Sequence, residues 1–456
     1  MADTKKKHQH RSPAKNIVIE VPGLRARQAA ARLLSAVVDK KTSLDGLTDN
    51  EHGHPQYLAL AMRDRLLVRA ILGAALRHRA DIEKALTEFL NRPLPKNALS
   101  LRHLLHVGAA QVLYLDVPDH AAIDLAVTAA KADPRNQRFS GLVNALLRKI
   151  AGHASQIRSR PSAIENVPAW FSSLLVENYG EDKAKKILAA QEIEPPIDIT
   201  VKNNPELWAE KLGGDVLFNG TVRLGNIEGA ISDLEGYQAG EWWVQDVAAS
   251  LPAHLFGNIQ GKNVADLCAA PGGKTAELAI QGANVTAIDL SANRLKRLQK
   301  NMERLKLEVA TWAGHLQDYK PSTPFDAVLL DAPCSSTGTI RRHPDILWTK
   351  SLNDIEKLAK LQFDLLVSSI SLVRIGGTLV FANCSIACKE GEELVKKLLT
   401  SRNDIKLIPI TAEEVGGEKR FVSNGLLRTT PADLVGKTPE LSGMDGFFCA
   451  RFERVL

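Results

Sequence analysis

Two stretches of this sequence end an apolar run in groups capable of covalent chemistry. Phe325-Asp-Ala-Val-Leu-Leu-Asp331 leads into Ala-Pro-Cys334, and Gly377-Thr-Leu-Val-Phe-Ala-Asn383 leads into Cys384-Ser385. A thiol in either place has a plain alternative, because cysteine is often buried as a small apolar group. That plain reading is kept for Cys268, Cys388 and Cys449. Cys334 and Cys384 fall at the C-terminal ends of predicted strands, where a parallel sheet presents its chemistry, and are assigned to function. If the two strands are neighbours, both thiols and the Asp331 carboxylate converge on one crevice. A thiolate there is a nucleophile, and a carboxylate can hold or share a proton.

A second group of residues would line the same crevice. Val264-Ala-Asp-Leu-Cys-Ala-Ala-Pro-Gly-Gly-Lys-Thr275 reads as a strand, a tight loop and a helix start. Gly272 and Gly273 remove side chains that would keep a ligand off the backbone, and the first helical turn offers unpaired N–H groups. Val285-Thr-Ala-Ile-Asp-Leu290 is the next strand-like run, and its Asp289 stands sixteen residues after Gly273. A carboxylate so placed accepts hydrogen bonds from ribose hydroxyls. The combination is two cysteines, a carboxylate and a bound nucleoside.

Elements of a parallel sheet are needed to bring these groups together. Strand-like runs at 264–268, 285–290, 326–331 and 377–384 alternate with helix-like runs at 274–281, 291–305, 353–374 and 390–400. That alternation predicts a mostly parallel sheet with helices on both faces, a Rossmann-like α/β fold. Upstream, Arg27–Val38, Asp64–Arg77 and Leu101–Leu113 repeat apolar residues at three- and four-residue steps, which predicts an all-α domain. Between the two, the composition shifts towards proline and glycine (Pro161, Pro168, Pro195-Pro196, Pro205), with helical pieces at 168–178 and 181–191. The chain is therefore multidomain: a basic tail at 1–23, a helical domain at 24–155, a linker and small subdomain at 156–238, and the α/β domain at 239–456.

Charge follows this division. The net charge of +6 is the sum of +12 over residues 1–160 and −6 over the remainder. A basic front half suits a polyanion held by the helical domain. The first fifteen residues are polar and basic without an apolar core, and no stretch has the apolar length to span a bilayer, so a soluble cytoplasmic protein is expected. Five cysteines without an export signal fit a reducing compartment. No second Cys/His pair at zinc spacing accompanies Cys384 and Cys388, which argues against a metal.

Asp266-Leu-Cys-Ala-Ala-Pro-Gly-Gly-Lys-Thr275, Asp331-Ala-Pro-Cys-Ser335 and Asn383-Cys-Ser385 resemble the S-adenosylmethionine-dependent RNA cytosine-5 methyltransferases. Gly338-Thr-Ile-Arg-Arg-His-Pro-Asp-Ile-Leu-Trp348 resembles the RsmB (Sun/Fmu) branch, which modifies 16S ribosomal RNA. Asp64-Arg65, Gly73, Leu76-Arg77, Leu101-Arg102, Gly108-Ala-Ala-Gln111, Pro118-Asp-His-Ala-Ala122 and Gly141–Arg148 resemble the NusB-type RNA-binding domain. The resemblance covers nearly the whole chain from about residue 25.

The resemblance implies that Cys384 adds to carbon 6 of cytosine, that Asp331 stabilises the adduct, and that Cys334 assists product release. It implies a methyl donor, S-adenosylmethionine, on Cys268, Ala269, Ala270, Pro271, Gly272, Gly273 and Lys274, with Asp289 on its ribose and Asp331 nearby. The expected partner is a ribosomal RNA substrate, with no metal and no membrane, and a monomer is expected. Three positions depart from the family pattern. Ile199-Thr-Val-Lys202 lacks the usual arginine, Asn383 replaces a threonine, and either His315 or Asp318 stands where an acid usually meets adenine. Two rival readings are an assembly or antitermination factor with a non-catalytic fold, disfavoured by the presence of both cysteines, and a transfer RNA methyltransferase. An amino-group methyltransferase needs no thiol and does not fit Asp331-Ala-Pro-Cys334.

Overall fold

The computed structural model describes residues 21–160, 167–225, 227 and 229–456. Most of the expected basic tail, residues 1–20, lies outside them.

The helical part comprises Leu24–Lys40 (α1), Leu44–Leu47 (α2), Pro55–Leu58 (α3), Met62–Arg77 (α4), Arg79–Phe89 (α5), Leu99–Tyr114 (α6), Asp119–Ala132 (α7), Ser140–Gly152 (α8) and Ala154–Arg158 (α9). The apolar steps read from the sequence become the buried faces: α1 buries Ala26, Ala29, Ala30, Leu33, Leu34 and Val37. Helix α6 is buried on nearly every side, as a central helix must be, and Gly108 lets Leu147 of α8 approach it. A Cβ at Gly108 would stand 2.6 Å from Leu147 Cδ1.

Ala169–Glu192 (α10) follows, broken at Gly180 (φ 74°, ψ 166°), so the two expected helical pieces lie on either side of the break. Ile197–Val201 (β1), Asp215–Val216 (β2), Val222–Leu224 (β3) and Trp242–Val244 (β4) make a small antiparallel sheet in the order β2-β3-β1-β4, covered by Pro205–Leu212 (α11).

The main sheet contains Asn263–Leu267 (β5), Asn284–Asp289 (β6), Ala310–Ala313 (β7), Phe325–Asp331 (β8), Val373–Asn383 (β9), Ile405–Leu407 (β10), Val422–Ser423 (β11), Leu426–Arg428 (β12) and Phe448–Arg454 (β13). Strands β7-β6-β5-β8-β9 run parallel, and β13 joins β9 antiparallel, carrying β12 and β10. Val247–His254 (α12), Gly273–Ile280 (α13), Ala292–Leu305 (α14), Ile346–Thr349 (α15), Leu352–Ile370 (α16) and Glu392–Ser401 (α17) complete the layers. The four strand-like runs are β5, β6, β8 and β9, but the sheet is larger and more mixed than those runs imply. Chain order reverses between β5 and β8, and the crevice of such a sheet opens beyond the carboxyl ends of those two strands.

One segment binds the parts together. Trp348 Nε1 donates to Leu76 O (2.9 Å), Leu44 N donates to Asp345 Oδ2 (3.0 Å), and Arg77 donates to Arg341 O (2.8 Å). Arg341 and Arg342 reach the Asp246 carboxylate at 2.8 and 2.6 Å, and Arg341 also reaches Asp445 at 2.9 Å. Asp246, Asp445 and Arg341 are all buried. Buried charges must be paired, and each of these is. Among the described residues no helix is long and apolar enough to cross a membrane.

Candidate active site

The loop after β5 is shaped by its own backbone. Cys268 takes φ 60° and Gly272 takes φ 105°, a region that L side chains rarely adopt. Gly272 also has a packing reason. A Cβ there would meet Leu298 Cγ of α14 at 2.8 Å, so the missing side chain makes room for a helix. At Gly273 a Cβ would meet Gln245 at 3.4 Å, which is ordinary contact.

Asp289 closes the loop from the next strand. Its carboxylate accepts from Ala270 N (3.2 Å) and Ser291 N (2.9 Å), and Arg294 Nη1 lies 3.2 Å away. Arg294 also donates to the Ala270 carbonyl. No motif marks this arginine, whose side chain is half-exposed over a buried carboxylate.

Asp266, at the base of the loop, accepts from Thr275 Oγ1 (2.5 Å), while its Oδ1 is buried without a hydrogen-bond partner. Burial, with Asp331 and Asp289 adding to it, pushes Asp266 up to about 7. Burial and the same carboxylates push the Cys268 thiol up to about 12, which keeps it protonated and agrees with a packing role.

Lys274, expected in the nucleoside loop, donates to Asp331 Oδ2 at 2.8 Å and lies over the Phe447 ring at 4.8 Å. Burial works against its ammonium, but Asp331 outweighs burial and holds its pKa above the ordinary value. This pair joins the start of α13 to the end of β8. His315 and Asp318 are both exposed just beyond β7.

The sheet brings the two predicted thiols together. Cys334 Sγ and Cys384 Sγ are 3.4 Å apart, with Ser336 Oγ 3.9 Å from the first and 3.6 Å from the second. The hydrogen bond from Cys334 draws Cys384 below the ordinary thiol value, against burial and Asp331 and with help from Ser336 and Lys274. The same bond, with burial, holds Cys334 far above it. The two effects favour ionisation at Cys384 over Cys334.

Behind the thiols stands Glu390, which no motif singled out. Its buried carboxylate accepts from Ser335 N (2.9 Å), Gln362 Nε2 (2.8 Å), Ser335 Oγ and Ser385 Oγ. Asn383 faces the same network: its Nδ2 donates to Gln362 Oε1 (3.1 Å) and Glu390 O (2.7 Å). Lys202, in the turn that lacks the usual arginine, donates to Leu305 O at the end of α14.

The chain is similar to known proteins over nearly all its length. The 16S rRNA methyltransferase RsmB/F family matches residues 255–453, and the NusB family matches residues 24–152. A ribosomal RNA small subunit methyltransferase B from Xanthomonas campestris pv. campestris is 34% identical over 412 residues, 86% of this chain and 91% of the relative. One from Pasteurella multocida is 30% identical over 97% of this chain and 99% of its own. The chain belongs to the RsmB/F family of 16S rRNA methyltransferases. Among solved structures, PH0851 shares the fold over 96% of this RsmB/F chain and 100% of its own, at a TM-score of 0.68 and 21% identity. A methyltransferase homologue from Pyrococcus horikoshii covers 62% of this chain and 94% of its own, at a TM-score of 0.51 and 24% identity. The helices read as NusB-like and the crevice read as a methyltransferase site thus belong to one RsmB/F chain.

Proposed function

We propose that this RsmB/F methyltransferase methylates carbon 5 of a cytosine in 16S ribosomal RNA through a covalent bond between Cys384 and carbon 6. The observation that carries this reading is the thiol pair at 3.4 Å, in which Cys384 is drawn down and Cys334 held up. Carbon 5 of cytosine is a poor nucleophile. Cys384, as thiolate, gives an electron pair to carbon 6, and the ring's 5,6 pair makes carbon 5 nucleophilic. Asp331, fixed by Lys274, stabilises the adduct by sharing a proton with N3 of the base. Loss of the carbon 5 proton to a base restores the ring and returns the bonding pair to Cys384, and Cys334 assists that release.

The residues around Cys268 fit S-adenosylmethionine. Asp266, Asp289 and Asp331 all act electrostatically on this thiol and Arg294 acts against them, while one Asp266 oxygen has no hydrogen-bond partner. Even with Lys274 on Asp331, that excess of negative charge suits a ligand carrying a sulfonium and an ammonium. When bound, the cofactor supplies an electrophilic methyl group. Residues 268–274 and Asp289 would hold it, with Asp331 alongside.

The segment at 24–155 serves as the RNA anchor, 156–238 as a linker and small RNA-binding subdomain, and 239–456 as the catalytic domain, in a cytoplasmic monomer. The +12 charge of residues 1–160 supports the anchor. Bisulfite sequencing of ribosomal and transfer RNA from cells with and without the gene tests the reaction. A methylcytosine lost from 16S RNA is the expected result. A loss confined to transfer RNA would change the substrate, and no loss would remove the proposal.

A further inference from the structure

We propose that Glu390 is a positioning residue for the thiol pair: its carboxylate ties together the two residues that follow the cysteines and sets a negative charge behind the pair. The inference rests on the reading of Cys384 as nucleophile and Cys334 as its helper.

The geometry is specific. Cys334 is followed by Ser335, whose N–H and hydroxyl both donate to Glu390. Cys384 is followed by Ser385, whose hydroxyl donates to the same carboxylate. Gln362 of α16 supplies the remaining donor, and its Oε1 accepts from Asn383, the residue before Cys384. The side chain thus clamps the ends of β8 and β9 at the point where each delivers a sulfur. Glu390 is fully buried, and no salt bridge to it occurs among the described residues. A carboxylate without a cation is an expensive group to bury, and packing alone would favour an apolar residue of similar size. Its charge, however, opposes ionisation of Cys334, after the bond between the sulfurs and burial.

The other charged groups around the pair act mainly on Cys384. Asp331 at the end of β8 opposes its ionisation, and Lys274 of α13 favours it. Arg428 of β12 donates to Ser385 O while its guanidinium pairs with Glu392 at 2.7 Å. At Cys334 the bond to Cys384, burial and the Cys384 charge oppose ionisation first, and the Glu390 charge adds to them. The clamp therefore fixes the ends of both strands beside their sulfurs and adds a charge that opposes ionisation of Cys334.

Glu390→Gln separates charge from shape. Its Oε1 can keep the bonds from Ser335 N and Gln362, and its amide can donate to the two serine hydroxyls, which accept as well as donate. Alkylation of each cysteine by iodoacetamide, followed by peptide mass spectrometry across pH, reads the order of ionisation in the full chain. In the wild type Cys384 reacts at lower pH than Cys334. In Glu390→Gln the Cys334 midpoint falls and its alkylation at fixed pH becomes faster, while S-adenosylmethionine affinity stays within twofold. Midpoints unchanged in a folded variant would overturn the proposal.

If Glu390→Gln does not fold, the double variant Ser335→Ala/Ser385→Ala decides, since it keeps the charge and cuts the hydroxyl tethers. A kcat at least tenfold lower with an unchanged KM for RNA is expected, and wild-type kcat would overturn the clamp. The underlying reading is judged separately. Turnover by Cys384→Ser would remove the nucleophile assignment whatever Glu390 does, whereas an inactive Cys384→Ser beside an unaltered Glu390→Gln would remove only the positioning role.

Discussion

Replacing Gly272 by alanine asks why the loop after β5 needs a glycine. At φ 105° a side chain strains the backbone, which costs about 1–2 kcal/mol. The added Cβ would also stand 2.8 Å from Leu298 Cγ and 3.2 Å from Met302 Cε. The methionine tip can move aside, but Leu298 is fully buried and its branch carbon cannot shift without moving α14. Overpacking of this kind costs about 1–3 kcal/mol, so the total is roughly 2–5 kcal/mol. Denaturant unfolding of Gly272→Ala, Leu298→Ala and the double variant measures both parts. Leu298→Ala alone should cost about 2–5 kcal/mol, and the double variant should be about 1–3 kcal/mol more stable than the sum of the singles predicts. Calorimetry with S-adenosylmethionine on the same proteins supplies the contrast. If the glycine instead admits the ligand to the backbone, Gly272→Ala would lose affinity with stability intact, and Leu298→Ala would rescue nothing. That pattern would refute the packing argument.

Cys334→Ala should accumulate a protein–RNA complex that survives denaturing electrophoresis, and Cys384→Ala should not; a complex in the second variant alone would reverse their roles. Lys274→Met removes a charge that lowers the Cys384 pKa and frees the Asp331 charge that raises it. The acid limb of the kcat profile should therefore move to higher pH. For each pH unit that it moves, kcat below the limb should fall about tenfold, with activity returning as pH rises. A parallel profile, uniformly lowered, would contradict this. Asp246→Asn leaves Arg341 and Arg342 sharing Asp445 in a buried site, and should cost about 3–5 kcal/mol in denaturant unfolding. A change below about 1 kcal/mol would mean that the cluster is dispensable for stability.

The site was legible because its parts lie where sequence patterns end. β5, β6, β8 and β9 are apolar runs, and Asp289, Asp331, Cys334 and Cys384 stand at or just past their carboxyl ends. The edges of the sheet are harder to read. Ala310–Ala313 is short and exposed in part, so it has no apolar run to betray it. The hairpin of β11 and β12 turns on Asn424-Gly425, both at positive φ; Asn-Gly is a hairpin signal, but the strands it joins are too short to show a pattern of their own. Glu390 is hidden differently. Cys388-Lys-Glu-Gly-Glu-Glu393 has the composition of a solvated charge run, and its one buried carboxylate becomes visible only when the ends of β8 and β9 meet behind it. Gly272 shows that a motif read for one reason can carry a second. The tight loop is where the glycines place it, but the partner that needs the space is Leu298, some 26 residues further along the chain.

The contact between the two sulfurs also limits how a base can arrive. An aromatic ring sandwiched between two atoms holds them about 7 Å apart, twice an ordinary van der Waals separation. Cys334 and Cys384 stand at 3.4 Å, so no pyrimidine fits between them. With the pair as it stands, both sulfurs meet the target from one side. The opposite face of the ring is then left free of thiols.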